Sequence, residues 1–275
     1  MLARRAFVAL TLGPLVLLLV YLGGWFYFLP FAALLTVAAV EYHHMIVRLG
    51  WSSPVLLLIA ASAALWLAPG EVQGQLFGRV LVSGLSEPLL ALSLLACVAY
   101  GLWLHERRPA SQAPASLFAL VTGVLLLGWL GAHFFSLRGI GEMAVAWTSL
   151  AMLSAWIADA ASFVFGTAIG RHALAPRLSP RKTVEGYLGG ILVGTLATGL
   201  IGAALGLPAG LAISFGLLVS TLGPAGDLAI SLLKRSVGLK DSGNILPGHG
   251  GALDRTDTLL WSVAIAFYLV RFYGS

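Results

Sequence analysis

The chain has 275 residues, 59% of them apolar and only 10% charged, with a mean hydropathy of +0.94. A soluble domain carries about 25% charged and about 45–50% apolar residues. This composition therefore excludes a cytosolic enzyme and a disordered regulator, and the single cysteine, Cys97, excludes a disulfide scaffold and a Cys-based zinc site. The net charge of +5 sits mostly between apolar runs, which points to anionic lipid and the positive-inside rule rather than to nucleic acid.

Taken in chain order, the start Met1-Leu-Ala-Arg-Arg before an apolar stretch mimics a signal peptide. It lacks a convincing small-residue cleavage site and a second apolar run follows at once, so it reads as a retained first span. A span needs about 20 apolar residues, within roughly 17–25. The runs at 6–22, 25–46, 54–69, 89–104, 115–135, 143–169, 186–206, 209–233 and 258–273 meet or approach this, giving an all-α polytopic bundle of about nine helices. The runs are continuous rather than alternating, so strands and a barrel have no support. The stretch 70–88, with Glu71, Arg79, Glu87 and Pro88, is the weakest segment and has room for a half-span. Eight Trp and 33 Gly suit lipid-interface belts and close helix contacts.

With the N-terminus in the cytoplasm, the inside segments hold Arg4, Arg5, Arg48, Arg107, Arg108, Arg171, Arg177, Arg181, Lys182, Lys234, Arg235, Lys240 and Arg255. The outside segments hold only Arg79, Arg138 and Arg271. That bias puts the two richest loops, near 170–186 and 234–257, on one face, the cytoplasmic one.

The polar residues concentrate in three late stretches. The first is Ala155-Trp-Ile-Ala-Asp159-Ala-Ala-Ser162, where an acid sits in an apolar helix at a cost of about 2.5–3.5 kcal/mol. Asp159 must face a polar cavity or meet a cation. The second, Leu178-Ser179-Pro180-Arg181-Lys182-Thr183-Val184-Glu185-Gly186, is a polar loop opening the next span. The third runs from Gly226-Asp227 to Asp257. Here Gly223-Pro224-Ala225-Gly226 reads as a helix breaker with Asp227 as N-cap, a role compatible with metal binding. Asp227, Ser231 and Lys234 recur at i, i+4 and i+7 and share one helix face. Glycines 248, 250 and 251 let backbone N–H groups approach an anion, and His249 adds a donor. Lys234, Arg235, Lys240 and Arg255 supply charge for a polyphosphate. Acids among so many bases make sense if a divalent cation bridges carboxylate and phosphate. Asp254 and Asp257, at i and i+3, can share a helix face at the mouth of the last span.

The stretch from Ser231-Leu-Leu-Lys-Arg through Lys240-Asp-Ser-Gly-Asn-Ile-Leu-Pro-Gly-His-Gly-Gly to Ala252-Leu-Asp-Arg-Thr-Asp257 resembles the signature of the phosphatidate cytidylyltransferase (CDP-diacylglycerol synthase) family. The segment 179–186 and Asp159 are similar to that family's second signature region, and Glu41-Tyr42 to an acidic-aromatic pair. The motifs lie in the C-terminal half. The resemblance implies a magnesium-dependent homodimer in the cell (inner) membrane, with its active site facing the cytoplasm and no nucleic-acid partner. Residues 1–140 would be N-terminal transmembrane helices and 141–275 catalytic helices with cytoplasmic loops, in one integrated membrane domain. The implied reaction is CTP plus phosphatidic acid giving CDP-diacylglycerol and pyrophosphate. Its nucleophile, a phosphate monoester, is already largely ionised, so the problem is charge neutralisation rather than general base catalysis.

On this reading Asp227 and Asp254 are the leading metal ligands, with Asp257 and Asp159 serving a second cation such as K+ or the outer shell. Lys234, Arg235, Lys240 and Arg255 would hold triphosphate and lipid phosphate, with Lys234 and His249 counted as catalytic. Gly250 and Gly251 would shape a phosphate loop. Ser231 and Asp241 would line the substrate, and Ser179, Lys182, Thr183 and Glu185 would close the site. His43-His44 reads as interfacial, and no residue stands out for cytosine. The rival readings are a secondary transporter, a CTP-dependent polyprenol kinase, an enzyme for another lipid phosphate, and a membrane scaffold. A transporter should break helices in both halves, whereas these polar features are one-sided.

Overall fold

The computed structural model describes residues 2–107, 112–243 and 250–273, with the backbone alone for residues 2–11. Arg108, Gly248 and His249 lie outside the described residues. In chain order the elements are α1 (Leu2–Leu22), α2 (Gly24–Arg48), α3 (Val55–Leu67), α4 (Gly70–Phe77), α5 (Ser86–Arg107), α6 (Ala113–Gly123), a π-helical segment (Val124–Leu130), and α7 (Gly131–Gly139). They continue with α8 (Ala144–Ile169), β1 (Ala173–Ala175), β2 (Ser179–Thr183), α9 (Val184–Ala204), α10 (Ala209–Ser236) and α11 (Leu253–Tyr273).

The protein is a multi-pass, all-α membrane chain. Among the described residues, six helical stretches are long and apolar enough to cross a membrane: Gly24–Arg48, Ser86–Arg107, Ala113–Gly139, Ala144–Ile169, Val184–Ala204 and Ala209–Ser236. The pair α3 and α4, bent by 81°, would make a seventh. The expected count of about nine is not reached on this measure, although each of the nine predicted runs is helical over most of its length. Helix α3 is only 13 residues long, and α11 opens with Asp254, Arg255 and Asp257. The stretch with room for a half-span contains the eight-residue α4.

Two further differences concern polar segments. The loop before α9 is an antiparallel hairpin, with Ala173 opposite Thr183, Ala175 opposite Ser179 and an irregularity between them. Pro180, which cannot donate to a ladder, is tolerated because the sheet has only two strands. Second, α10 does not break at Gly223-Pro224-Ala225-Gly226. It runs unbroken from Ala209 to Ser236 with Pro224 inside, so Asp227 lies within the helix and is not its N-cap. A proline costs a helix one hydrogen bond, and here the helix continues along a face that buries Val219, Gly223, Gly226 and Ile230.

The chain divides into two compact units. The first comprises Met1–Gly139 and Ser236–Thr256. At its α1–α2 junction Gly23 and Gly24 take φ of 64° and 51°, which L side chains rarely adopt. The Arg138 side chain donates to the carbonyls of Val20 (2.6 Å) and Tyr21 (3.3 Å), satisfying acceptors that the end of α1 leaves open. Its core holds Tyr27, Phe31, Trp66, Phe134 and Phe135, with the Tyr27 hydroxyl donating to Phe134 O at 2.9 Å. Trp66 Nε1 donates to Leu127 O (2.8 Å) within the π-helical segment, supplying a partner where the wider turn disturbs the ladder.

The second unit comprises Ile140–Arg235 and Asp257–Ser275. Helix α9 buries Gly186, Gly189, Gly190, Gly194, Gly199 and Gly202 on one side while Leu188, Leu192, Leu196 and Leu200 point outward. This small-residue face lets backbones approach closely, the usual basis of helix association in lipid. A Cβ on Gly186 would come within 2.6 Å of Ser162 O, and one on Gly190 would collide with the Ser162 hydroxyl. Polar stitches join α8 to α9 and to α11: Thr198 of α9 donates to Ser154 of α8 (3.0 Å), and Ser262 of α11 to Ala151 O of α8 (2.6 Å).

Gly190→Leu should overpack the α8–α9 contact and destabilise the protein by about 1–3 kcal/mol or more, whereas Leu192→Ala on the outward face should shift it by about 0.5 kcal/mol or less. Thermal unfolding of both variants in detergent checks the contrast; equal effects would contradict it.

Candidate active site

In the second unit, strand β2 carries Lys182 to the carboxylates of two helices, Asp159 of α8 and Asp227 of α10. Its Nζ lies 2.6 Å from Asp227 Oδ2 of α10, with both side chains about 29% exposed. On α10 itself the Ser231 hydroxyl donates to Asp227 Oδ1 (3.3 Å), as the i, i+4 spacing predicts. Lys234, the third member of that face, is buried and close enough for its charge to act on Asp227 and Asp257. Asp257 of α11 is buried, accepts the Thr258 N–H at 2.7 Å and lies close enough to Asp227 for the two carboxyl groups to act on each other. Asp159 of α8 keeps much of its surface open and interacts electrostatically with Lys182, Asp227 and Asp257. Lys182 is near enough for its charge to act on Asp159.

The meeting of α10 and α11 depends on Gly226. A Cβ there would run into the Trp261 ring and come within 2.9 Å of Asp257 O. The hairpin is held by Glu185, which accepts the Arg171 N–H (2.9 Å), the His172 N–H (3.2 Å) and a contact from His172 Nδ1 (2.5 Å). Thr183 caps α9 by accepting the Gly186 N–H at 3.1 Å. Arg235 donates to Leu178 O (3.2 Å), beside Ser179 at the start of β2. Thr183 and Glu185 therefore brace the segment that presents Lys182.

Asp254 keeps different company, in the first unit. Its Oδ2 accepts the Ser242 N–H (2.8 Å) and the Gly251 N–H (3.0 Å), and lies 3.0 Å from the Ser242 hydroxyl. That hydroxyl is also 2.7 Å from Glu41 Oε2. Glu41, buried in α2, further accepts the Ala252 N–H (3.0 Å) and the Leu253 N–H (2.9 Å) at the start of α11. Lys240, Asp241 and Arg255 are exposed, and Gly250 has φ of 79°. The Gly251 amide expected to face an anion is donated to Asp254.

The structure thus brings together Asp159, Lys182, Asp227, Ser231, Lys234 and Asp257. Asp254 and Asp257, although three residues apart, engage different partners. Among the described residues no three His, Cys, Asp or Glu side chains form an all-protein metal cage. A paired Asp227 and Asp257 nevertheless suits Mg2+, which is typically held by one or two carboxylates plus substrate phosphates and water. The spacing of 227, 231 and 234 foretold one face of this cluster. In the sequence Glu41 is signalled by the resemblance of Glu41-Tyr42 to the family's acidic-aromatic pair, which gives no partner for it.

A family model described as the cytidylyltransferase family matches residues 3–273. The chain belongs to that family. Among similar proteins, the phosphatidate cytidylyltransferase of Mycobacterium bovis is 30% identical over 257 residues, covering 86% of this chain and 79% of its own. That of Synechocystis is 29% identical over 282 residues, covering 92% and 90%. That of Bacillus subtilis is 33% identical over 157 residues, 56% of this chain and 58% of its own. In several such matches, this one included, the chain spans about half the length of the curated relative. The cytidylyltransferase match runs through both units, so it takes in Glu41 and Asp254 as well as the lysine–carboxylate cluster.

Lys182→Met and Asp227→Asn should be non-additive in detergent unfolding, with a coupling of about 1 kcal/mol for a partly exposed pair. Additive effects would show that the two groups are not paired in solution.

Proposed function

We propose that this protein is a phosphatidate cytidylyltransferase that makes CDP-diacylglycerol and pyrophosphate from CTP and phosphatidic acid. The observation that carries the reading is the lysine–carboxylate cluster of Lys182, Lys234, Asp159, Asp227 and Asp257 in a membrane chain of the cytidylyltransferase family. A phosphate oxygen of the lipid attacks the α-phosphorus of CTP, forming the new P–O–P link while the bond to the β-phosphoryl oxygen breaks and pyrophosphate leaves. The nucleophile is already anionic, so the work of the protein is to bring two polyanions together.

Lys182 and Lys234 offset phosphate charge, and Arg235, Lys240 and Arg255 add to the positive field. Asp227 and Asp257, with Asp254 as the resemblance implies, are the proposed carboxylate ligands of Mg2+, which would neutralise charge on the phosphates it shares. Asp159 is proposed for a second cation such as K+, or for the outer shell. His249 is proposed as a further phosphate donor. The enzyme is further proposed to be a homodimer in the cell (inner) membrane, its N-terminus and its active site facing the cytoplasm, as the distribution of Arg and Lys supports.

Purified protein given phosphatidate, labelled CTP and Mg2+ should release pyrophosphate and form lipid-linked CMP. Release of CDP would instead indicate a lipid kinase, and ion-driven flux without lipid product a transporter. Asp227→Asn and Asp254→Asn should each lower turnover by about 100-fold or more while the protein still inserts; near-normal activity of both would remove the ligand assignment. A cysteine introduced at Asp241 in a Cys97→Ser background should label only from the cytoplasmic side, and labelling only from outside would reverse the topology.

A further inference from the structure

We propose that α4 and the connection after it, residues 70–85, lie inside one leaflet of the bilayer, where Val80, Leu81 and Val82 are covered by lipid acyl chains. Three features carry this, and none depends on the cytidylyltransferase reading: the length of α3, the bend after it, and the pairing of the backbone that follows.

Helix α3 has 13 residues, which at 1.5 Å per residue span about 20 Å against a hydrocarbon core of about 30 Å. It begins just after Arg48 and Trp51, residue types that mark a membrane boundary. Continued straight, α4 would complete the crossing, but it turns aside by 81°. The chain after α3 therefore stops about 10 Å short of the far boundary. Helix α5, with 22 residues from Ser86 to Arg107, is long enough for a full span. The connection 78–85 thus climbs from the depth of α4 to the start of α5.

This connection has the wrong chemistry for water. Phe77, Val80, Leu81 and Val82 are 45–52% exposed, and Arg79 is the one charge between Glu71 and Glu87. Irregular backbone at membrane depth persists only where protein groups pair it. Buried Gln73 does so with every hydrogen-bonding position of its amide. Its Oε1 accepts the N–H groups of Leu81 (2.8 Å) and Val82 (2.9 Å), while its Nε2 donates to the carbonyls of Ala68 (2.9 Å) and Val82 (3.0 Å). Trp25 Nε1 donates to Leu76 O at 3.1 Å, near the end of α4, and its ring meets Phe77 edge-on. A loop in water needs no buried amide for this, because solvent supplies the same bonds. The stem of Arg79 is long enough to carry its charge to the headgroup phosphates.

The test places full-length protein in lipid nanodiscs, in a Cys97→Ser background, with one nitroxide at a time. The labelled variants are Leu81→Cys, Leu95→Cys on the outward face of α5, and Arg177→Cys in the turn of the hairpin. Collision with oxygen, which concentrates in hydrocarbon, is compared with collision with a polar nickel chelate, which hydrocarbon excludes. The oxygen-to-nickel ratio at 81 should match that at 95 within about twofold and exceed that at 177 by about fivefold or more. In Gln73→Leu the loop amides lose their partners and must seek water, so the ratio at 81 should fall about threefold or more while that at 95 holds. If Gln73→Leu does not insert, Gln73→Asn, whose amide falls one methylene short, is read in its place with the same expected fall. A ratio at 81 equal to that at 177 would overturn the proposal. So would shielding from both reagents, the sign of a second copy covering the loop, and so would a ratio that the Gln73 variants leave unchanged.

Discussion

A carboxylate can persist in an apolar helical bundle only if protons or cations face it. Burying an unpaired charge costs several kcal/mol even after relaxation, a large share of the total stability of a domain. In this chain that constraint is met in two chemically different ways. Glu41 and Asp254 are met by backbone N–H groups and one serine hydroxyl. Asp227 is met by Lys182 and Lys234, Asp159 by the charge of Lys182 and Asp257 by that of Lys234.

Much of the architecture was legible because lipid-spanning segments announce themselves by length and hydropathy. The helical runs and the i, i+4, i+7 face of α10 follow from length and spacing, whereas the glycine count suits close helix contacts without locating them on α9. The errors have physical causes. Gly223-Pro224-Ala225-Gly226 has the composition of a break, yet α10 continues through it: Gly226 gives the approach to α11 that joins Asp227 to Asp257. The hairpin before α9 was read as a loop because its strands are three and five residues long, too short for alternation to register.

The role of Glu41 was less legible for a different reason. Its partners are backbone amides, which every residue carries, and they lie about 200 positions away in sequence. The resemblance of Glu41-Tyr42 to an acidic-aromatic pair marks the residue but not what faces it. The parting of Asp254 from Asp257 was likewise hidden. Helical spacing places two residues near one face, but it does not say which partners the side chains reach.

The two solutions also differ in what they allow next. A hydrogen bond from a backbone amide to a carboxylate contributes about 1.5–3 kcal/mol net, and the amide cannot leave without unwinding the start of α11. Glu41 is therefore committed to geometry. An ammonium on a four-carbon stem is mobile, and Lys182 reaches Asp227 from a short hairpin with about 29% of its side chain exposed. Such a group can turn from a carboxylate to an incoming phosphate with little change in backbone. As it turns, the carboxylates regain their need for positive charge, which a divalent ion shared with the phosphates would meet. Rigid acids fix the segment; exchangeable pairs leave the cluster able to respond to polyanions.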